Sequence, residues 1–421
     1  MREFAKHGAV VFGGLLASNA LIYVAYALTA RSLGVGEAGL FMALLSASQL
    51  LAIPASAFGT VITKLSSDAA VAGRLGKLRF LSDRIAFWAL PLSLVILVIA
   101  IAGNGALSAF FHVSDLLVIP GAALMFASYL PLIPQRAIFN GASHFRSFVG
   151  SWLVEAVCKA LTGLLLVFLG GGIRVALAGF ILATTASYLF NVVIGRRLST
   201  SSEPMMLPTL ELRRHVTGTA LPVFGLNAIT FSDSILARHL FDPITAGLYS
   251  TAALAGRAIV TVTQFAPIVL MPKAIASVAS GRSPVRYLLA AIGAALAVVT
   301  PILTLVVFAP HVITRSIGGG AFDAAASYML PYGLAMSALA LATILATYLI
   351  GIGKRAFAAP VAFVCAAEIG AMFIVPAQVA NFLWIVGIGD SLLLLITVLT
   401  VILTTLDRQQ GGMSSEKAIS K

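Results

Sequence analysis

Ala30-Arg31-Ser32-Leu33 followed by Ala38-Gly39-Leu40-Phe41 is written twice in this chain: it returns as Ala237-Arg238-His239-Leu240 and Ala246-Gly247-Leu248-Tyr249. Working outward, Asn19-Ala20 returns at Asn227-Ala228, Lys64 at Lys273, and Gly73-Arg74 at Gly281-Arg282, in the same order and always about 208 positions on. Matching Ala and Leu carries little weight in so apolar a sequence. Matching Arg and Lys does, because charged residues are only 10% of the 421. The chain therefore reads as a duplication with its seam near the midpoint.

Composition fixes the solvent of each copy. Sixty per cent of residues are hydrophobic and the mean hydropathy is +1.02, against roughly 45–50% apolar residues in soluble domains. A membrane-crossing helix needs about 20 largely apolar residues. Twelve windows qualify: 8–30, 38–63, 83–103, 117–140, 147–170, 174–195, 217–238, 245–272, 287–309, 326–351, 357–378 and 381–405. They are too long for barrel strands, and a backbone facing lipid must satisfy its own hydrogen bonds, so helices are expected. The fold class is an all-α polytopic membrane protein of two six-helix bundles. An even number of spans per copy inserts both copies in the same direction, related by an axis along the membrane normal, as in the parallel repeats of alternating-access transporters. The expected divisions are a first lobe over 1–196, a cytoplasmic linker over 197–216, a second lobe over 217–405 and a disordered tail over 406–421.

The net charge of +12 follows the topology. With the N-terminus inside, 21 of the 27 Lys and Arg fall in cytoplasmic segments and four (Arg31, Arg174, Arg238 and Arg315) at outer ends, while Lys159 and Arg257 lie within spans. This bias puts both termini in the cytoplasm and favours anionic lipid headgroups, leaving no reason to invoke nucleic acid. Arg2 and Lys6 before an apolar run ending in Ala25-Tyr26-Ala27 imitate a signal peptide, but the run is longer than the 7–15 residues of such a segment, and its repeat at 217–238 is internal. Cys158 and Cys365 both fall mid-window, so no disulfide framework is expected.

Two six-helix bundles, a first span ending in Ala30-Arg31-Ser32-Leu33-Gly34, a second opening on Gly36-Glu37-Ala38-Gly39-Leu40-Phe41, and Gly141-Ala142-Ser143-His144-Phe145-Arg146 before the fifth resemble the polysaccharide exporters of the multidrug/oligosaccharidyl-lipid/polysaccharide (MOP) flippase superfamily, Wzx-type O-antigen flippases in particular. The resemblance covers essentially the whole chain. It implies a bacterial inner-membrane protein moving a polyprenyl-diphosphate-linked glycan to the outer leaflet by alternating access. Its partners would be the lipid-linked glycan, membrane lipids, and polymerase or glycosyltransferase machinery.

Charges inside spans are costly and seldom idle. Guanidinium suits a diphosphate because its planar fork binds phosphate oxygens in pairs. Arg257 lies roughly 18 Å below the outer end of its helix at 1.5 Å per residue. By the resemblance it would contact the diphosphate from a cavity-facing eighth helix; the other reading is an ion pair with Asp233. Arg31 and Arg238, repeat mates at outer helix ends, are either a release site for the substrate or interfacial arginines on lipid phosphates. Glu155 and Lys159 are spaced as an i,i+4 pair, so they either neutralise each other or leave Lys159 as a second anion site. Glu368 and Asp390 have no base within a turn on their own helices. A carboxylate so placed can take up a proton near neutral pH, as H⁺ or Na⁺ coupling requires; alternatively each bridges helices as a hydrogen-bonded acid. With Asp233 and Glu155 they complete the ion-coupling candidates.

Pro54, Pro91, Pro120, Pro131, Pro134, Pro222, Pro267, Pro331 and Pro360 fall inside apolar windows and are expected to bend helices. Trp88, Trp152 and Trp384 are expected as interfacial belt residues. No metal-ligand spacing and no phosphate-binding loop occurs, so no cofactor and no enzyme is expected. Two alternatives to the glycan flippase stay open: a multidrug cation antiporter of the same superfamily, disfavoured by the absence of a carboxylate in 8–30, and a membrane-embedded glycan polymerase or ligase, disfavoured by the lack of a large outer loop.

Overall fold

The structure is a computed structural model that describes residues 2–197, 203–204, 209–280, 282–354 and 356–419. Residues 198–202 and 205–208 of the expected linker, and also Arg355 and Lys421, lie outside the described residues. So do the side chains of Arg2, Lys6, Lys64, Arg213, Arg214, Arg408 and Lys417.

The described residues are almost wholly helical. In order they form α1 (Arg2–Leu51), α2 (Ile53–Val71), α3 (Leu75–Ala102), α4 (Asn104–Phe111), α5 (Val118–Tyr129), α6 (Leu132–Gly141), α7 (Phe145–Leu169) and α8 (Gly172–Arg197). Then come α9 (Thr209–Leu240), α10 (Pro243–Thr263), α11 (Phe265–Ala279), α12 (Val285–Phe308), α13 (Pro310–Gly318), α14 (Ala326–Gly351), α15 (Ala358–Ile374) and α16 (Val379–Ile419). Nine stretches among the described residues are long and apolar enough to cross a membrane. Every one of the twelve windows has a helical counterpart. The first window and the start of the second share one long stretch, Gly13–Leu51, broken at Gly34 (φ 73°, ψ 171°), a conformation that only glycine enters cheaply. The seventh is α9, partly outside the described side chains, and the eleventh is α15, at 17 residues. The expected disordered tail differs: α16 continues to Ile419. Extending an existing helix adds one hydrogen bond per residue fixed, with no new nucleus to form, so Gly411 and Gly412 weaken the helix without ending it.

The prolines also differ from expectation. Pro54 stands at the start of α2 and Pro131 caps α6. Pro120, Pro134, Pro267 and Pro360 fall in the first turns of α5, α6, α11 and α15, where no intrahelical donor is needed. Pro54, Pro131 and Pro267 stand where apolar windows divide into separate helices. Pro91 and Pro331 remain inside α3 and α14.

The helices form two compact units. The first comprises 1–220, 234–251 and 314–324; the second comprises 221–233, 252–313 and 325–421. In the first, α1 packs chiefly on α7, α7 on α8, and α2 on α6, with α5 against α8 and α3. In the second, α14 is the centre, against α16, α11 and α12, with α15 laid on α16. Two-thirds of the apolar stretch through α14 is buried, whereas that of α3 buries 6%. Phe87, Leu90, Val98 and Ile99 of α3, with Phe168, Phe308 and Ile374 elsewhere, stand more than half exposed. A water-soluble protein does not leave such continuous apolar surface open; hydrocarbon is the solvent these faces fit. The chain is an all-α polytopic membrane protein.

Candidate functional site

In the second unit buried charges from α9, α10, α15 and α16 converge, with a tyrosine from α14. Asp233 of α9 is fully buried. Its Oδ2 accepts a hydrogen bond from Tyr332 Oη at 2.6 Å, and its Oδ1 takes Arg257 Nη2 in an ion pair. Arg257 also lies over the Phe231 ring, 5.4 Å from its centroid, and its side chain keeps 12% exposure. The Asp233 pair anticipated from the sequence therefore forms, with Tyr332 as a partner that sequence reasoning missed. Nothing in the spacing announced Tyr332, 99 residues away.

Glu368 and Asp390 complete this cluster. Glu368 is 4% exposed and Asp390 not at all, and Glu368 Oε2 and both Asp390 carboxylate oxygens have no hydrogen-bond partner among the described residues. The hydrogen-bonded bridge anticipated as one reading is thus not made by these oxygens. Gly389 explains how Glu368 fits: a Cβ there would sit 2.1 Å from Glu368 Oε2, so the carboxylate lies directly on the α16 backbone beside Asp390. Asp233, Glu368 and Asp390 are close enough to act on one another electrostatically. Three acids thus accompany one base. Among the described residues no group of three His, Cys, Asp or Glu is arranged to hold a metal ion.

The first unit carries the opposite balance. Glu155 Oε1 accepts from Lys159 Nζ at 2.5 Å, and Oε2 from Arg136 Nη2 at 2.6 Å. All three are at least nine-tenths buried. Arg136 also donates from Nε to Ser151 Oγ at 2.9 Å and from Nη2 to Ser187 Oγ at 3.2 Å. Its guanidinium stacks 3.8 Å from the Trp152 ring centroid, and Lys159 Nζ stands 5.1 Å from Phe180. The expected Glu155–Lys159 pair is therefore one arm of a triad. Arg136 is its second arm, joined to Lys159 through the shared Glu155, and Trp152, expected at the interface, packs on Arg136. Ser151, Glu155 and Lys159 share one face of α7 at spacings of four, a signal the sequence did contain.

Arg31 and Arg238, expected to be equivalent, are not. Arg31 is exposed. Arg238 is 5% exposed, and its guanidinium donates to the backbone carbonyls of Phe111 (3.0 Å), Gly36 (3.4 Å) and His112 (3.3 Å).

No family model matches the sequence, and no curated protein matches it. The fold does have solved counterparts, and they define a class. A multidrug resistance MATE family transporter of the MOP superfamily, inward-facing, superposes with a TM-score of 0.74 at 12% identity, over 92% of this chain and 95% of the other. An outward-facing MATE family transporter gives 0.63 at 12% identity, over 95% of each chain. The lipid II flippase MurJ, in an inward closed conformation, gives 0.67 at 14% identity, over 93% and 87%. The chain has the fold of MOP-superfamily transporters.

Proposed function

We propose that this protein is a flippase that moves a polyprenyl-diphosphate-linked oligosaccharide from the cytoplasmic to the outer leaflet of a bacterial inner membrane by alternating access, for surface polysaccharide synthesis. In this reading the duplicated lobes 1–196 and 217–405 rock about a central path, both termini are cytoplasmic, and polymerase or glycosyltransferase machinery supplies or consumes the glycan. The observation that carries it is Arg257. A guanidinium deep in a span, held through Nη2 by Asp233 and still partly exposed, can exchange that carboxylate for a phosphate oxygen in a site of low dielectric. The likeness to a lipid II flippase supports a lipid-linked cargo. Arg31, Arg238 and Lys159 are the further anion contacts of this proposal; Arg238 and Lys159, tied to carbonyls and to Glu155, would have to exchange those partners as well.

Glu368 and Asp390, with Asp233, are the proposed H⁺ or Na⁺ coupling site. Glu155, already neutralised by two bases, is the least suited of the four acids to that role. The deciding experiment is protection of a fluorescent polyprenyl-diphosphate oligosaccharide in proteoliposomes. Arg257→Gln should cut flipping at least tenfold, the rough equivalent of one lost charged hydrogen bond, with Arg257→Lys in between. Full flipping by Arg257→Gln ends the reading.

One observation favours a second reading. Three acids against one base suit a cationic cargo, as in a multidrug antiporter, and the likeness to MATE transporters agrees with it. Gradient-driven efflux of a lipophilic cation, without glycan-lipid flipping, would select that reading.

A further inference from the structure

Outside the charged clusters, the ends of α9 and α10 meet α1 and α4 within the first compact unit. Gly39 and Gly247 occupy the same position of the duplicated Ala-Gly-Leu-Phe/Tyr motif, and they cross backbone to backbone. A Cβ on Gly39 would lie 2.7 Å from Gly247 Cα, and one on Gly247 2.0 Å from the Val35 carbonyl oxygen. Neither position tolerates a side chain. One turn away Arg238 grips the carbonyls of Phe111, His112 and Gly36. His239 Nδ1 donates to the Phe110 carbonyl at 2.9 Å, and its ring is stacked on Phe110, 4.1 Å between centroids. His112 closes α4 in a left-handed conformation (φ 52°, ψ 54°).

We propose that this glycine crossing and the Arg238 grip form a releasable clasp, and that its opening exposes the buried start of α10. The argument rests on how it is held. A Gly–Gly crossing packs two backbones closely with no side chains interlocked, so it can part along the crossing without any rotamer having to change. A guanidinium buried on carbonyls, with no carboxylate among its partners, regains hydration on release, which offsets much of the lost hydrogen bonding. The helices so gripped also change membership beside the clasp. The second unit claims α9 up to Asp233 and α10 from Ala252, and the first claims 234–251. The charge pattern assigns this end to the outside, so, resting on the alternating-access reading, the clasp is the element that opens for release.

The test uses Ser250→Cys, a near-isosteric change at a 2% exposed position one turn from Gly247, in a background with Cys158→Ala and Cys365→Ala. The protein is in lipid nanodiscs, which leave both faces open to a polar maleimide. Arg238→Gln and Gly247→Ala should each raise the labelling rate about tenfold or more, a shift of about 1.4 kcal/mol in the opening equilibrium. Glu37→Cys, already exposed, should label alike throughout. Unchanged labelling at Ser250→Cys in folded variants overturns the clasp. Should both variants misfold, Glu37→Cys with Asp242→Cys, flanking the Gly36–Pro243 contact, decides. A bis-maleimide bridge there must slow labelling at Ser250→Cys, and undiminished labelling refutes the proposal. Labelling needs no substrate, so it stands or falls apart from the cargo.

Discussion

Glu155 is the residue on which the first unit's charges depend. It answers two buried bases at once, so Glu155→Gln leaves Arg136 and Lys159 without a counter-charge. Removing one partner of a buried ionic group costs about 3–5 kcal/mol, and thermal unfolding in detergent should show a large loss. Lys159→Met should cost much less, because Glu155 keeps Arg136. Equal losses for the two would mean that the triad is not centred on that carboxylate. Gly389 makes a matching case in the second unit. Gly389→Ala drives a methyl into the Glu368 carboxylate and should destabilise by about 1–3 kcal/mol, as overpacking does. Pairing it with Glu368→Ala should recover most of that loss, and a double-mutant cycle with no coupling would show that the two do not touch. Charged residues inside spans were legible from sequence because hydrocarbon makes each one conspicuous. Their partners were not: Tyr332, Ser187 and Trp152 are ordinary side chains, and only tertiary packing brings them to Asp233 or Arg136.

At the level of elements, apolar length located nearly every helix, because a span must cover the hydrocarbon thickness whatever its neighbours do. Length does not tell where one helix stops within a window. Pro131 splits 117–140 into α5 and α6, and Gly34 turns the chain inside a stretch that is otherwise helical. The short α4 and α13 lie outside the windows' logic altogether, since eight or nine residues cannot span. The Gly34 turn is open to a direct check. With φ 73° and ψ 171°, Gly34→Ala meets a backbone region costing about 1–3 kcal/mol for a residue with a Cβ, although nothing lies within 4 Å of the added methyl. The expected result is a lowered melting temperature with no change in oligomeric state. An unchanged melting temperature would mean that the turn relaxes into continuous helix.

Across the whole chain the two copies keep one signature and part company in their buried charge. Their helix-end motifs still match at Ala, Arg, Gly and Leu, yet the charge cluster of the first unit sets two bases, Arg136 and Lys159, on one acid, and that of the second sets one base, Arg257, among three acids. A duplicated protein that only had to fold would have no reason to retain Glu368 Oε2 and both Asp390 oxygens without partners, because an ionised carboxylate left so is expensive. Replacing them with amides of the same shape removes that expense. Glu368→Gln with Asp390→Asn should therefore fold at least as stably as the parent, in contrast to Glu155→Gln. What should be lost is energy coupling. In proteoliposomes the parent's transport should rise when a proton or sodium gradient is imposed, and the double variant's should stay at its gradient-free rate. If the double variant still responds fully to the gradient, coupling does not pass through these acids. If it instead unfolds, the two carboxylates are structural, and their missing partners are supplied by buried water.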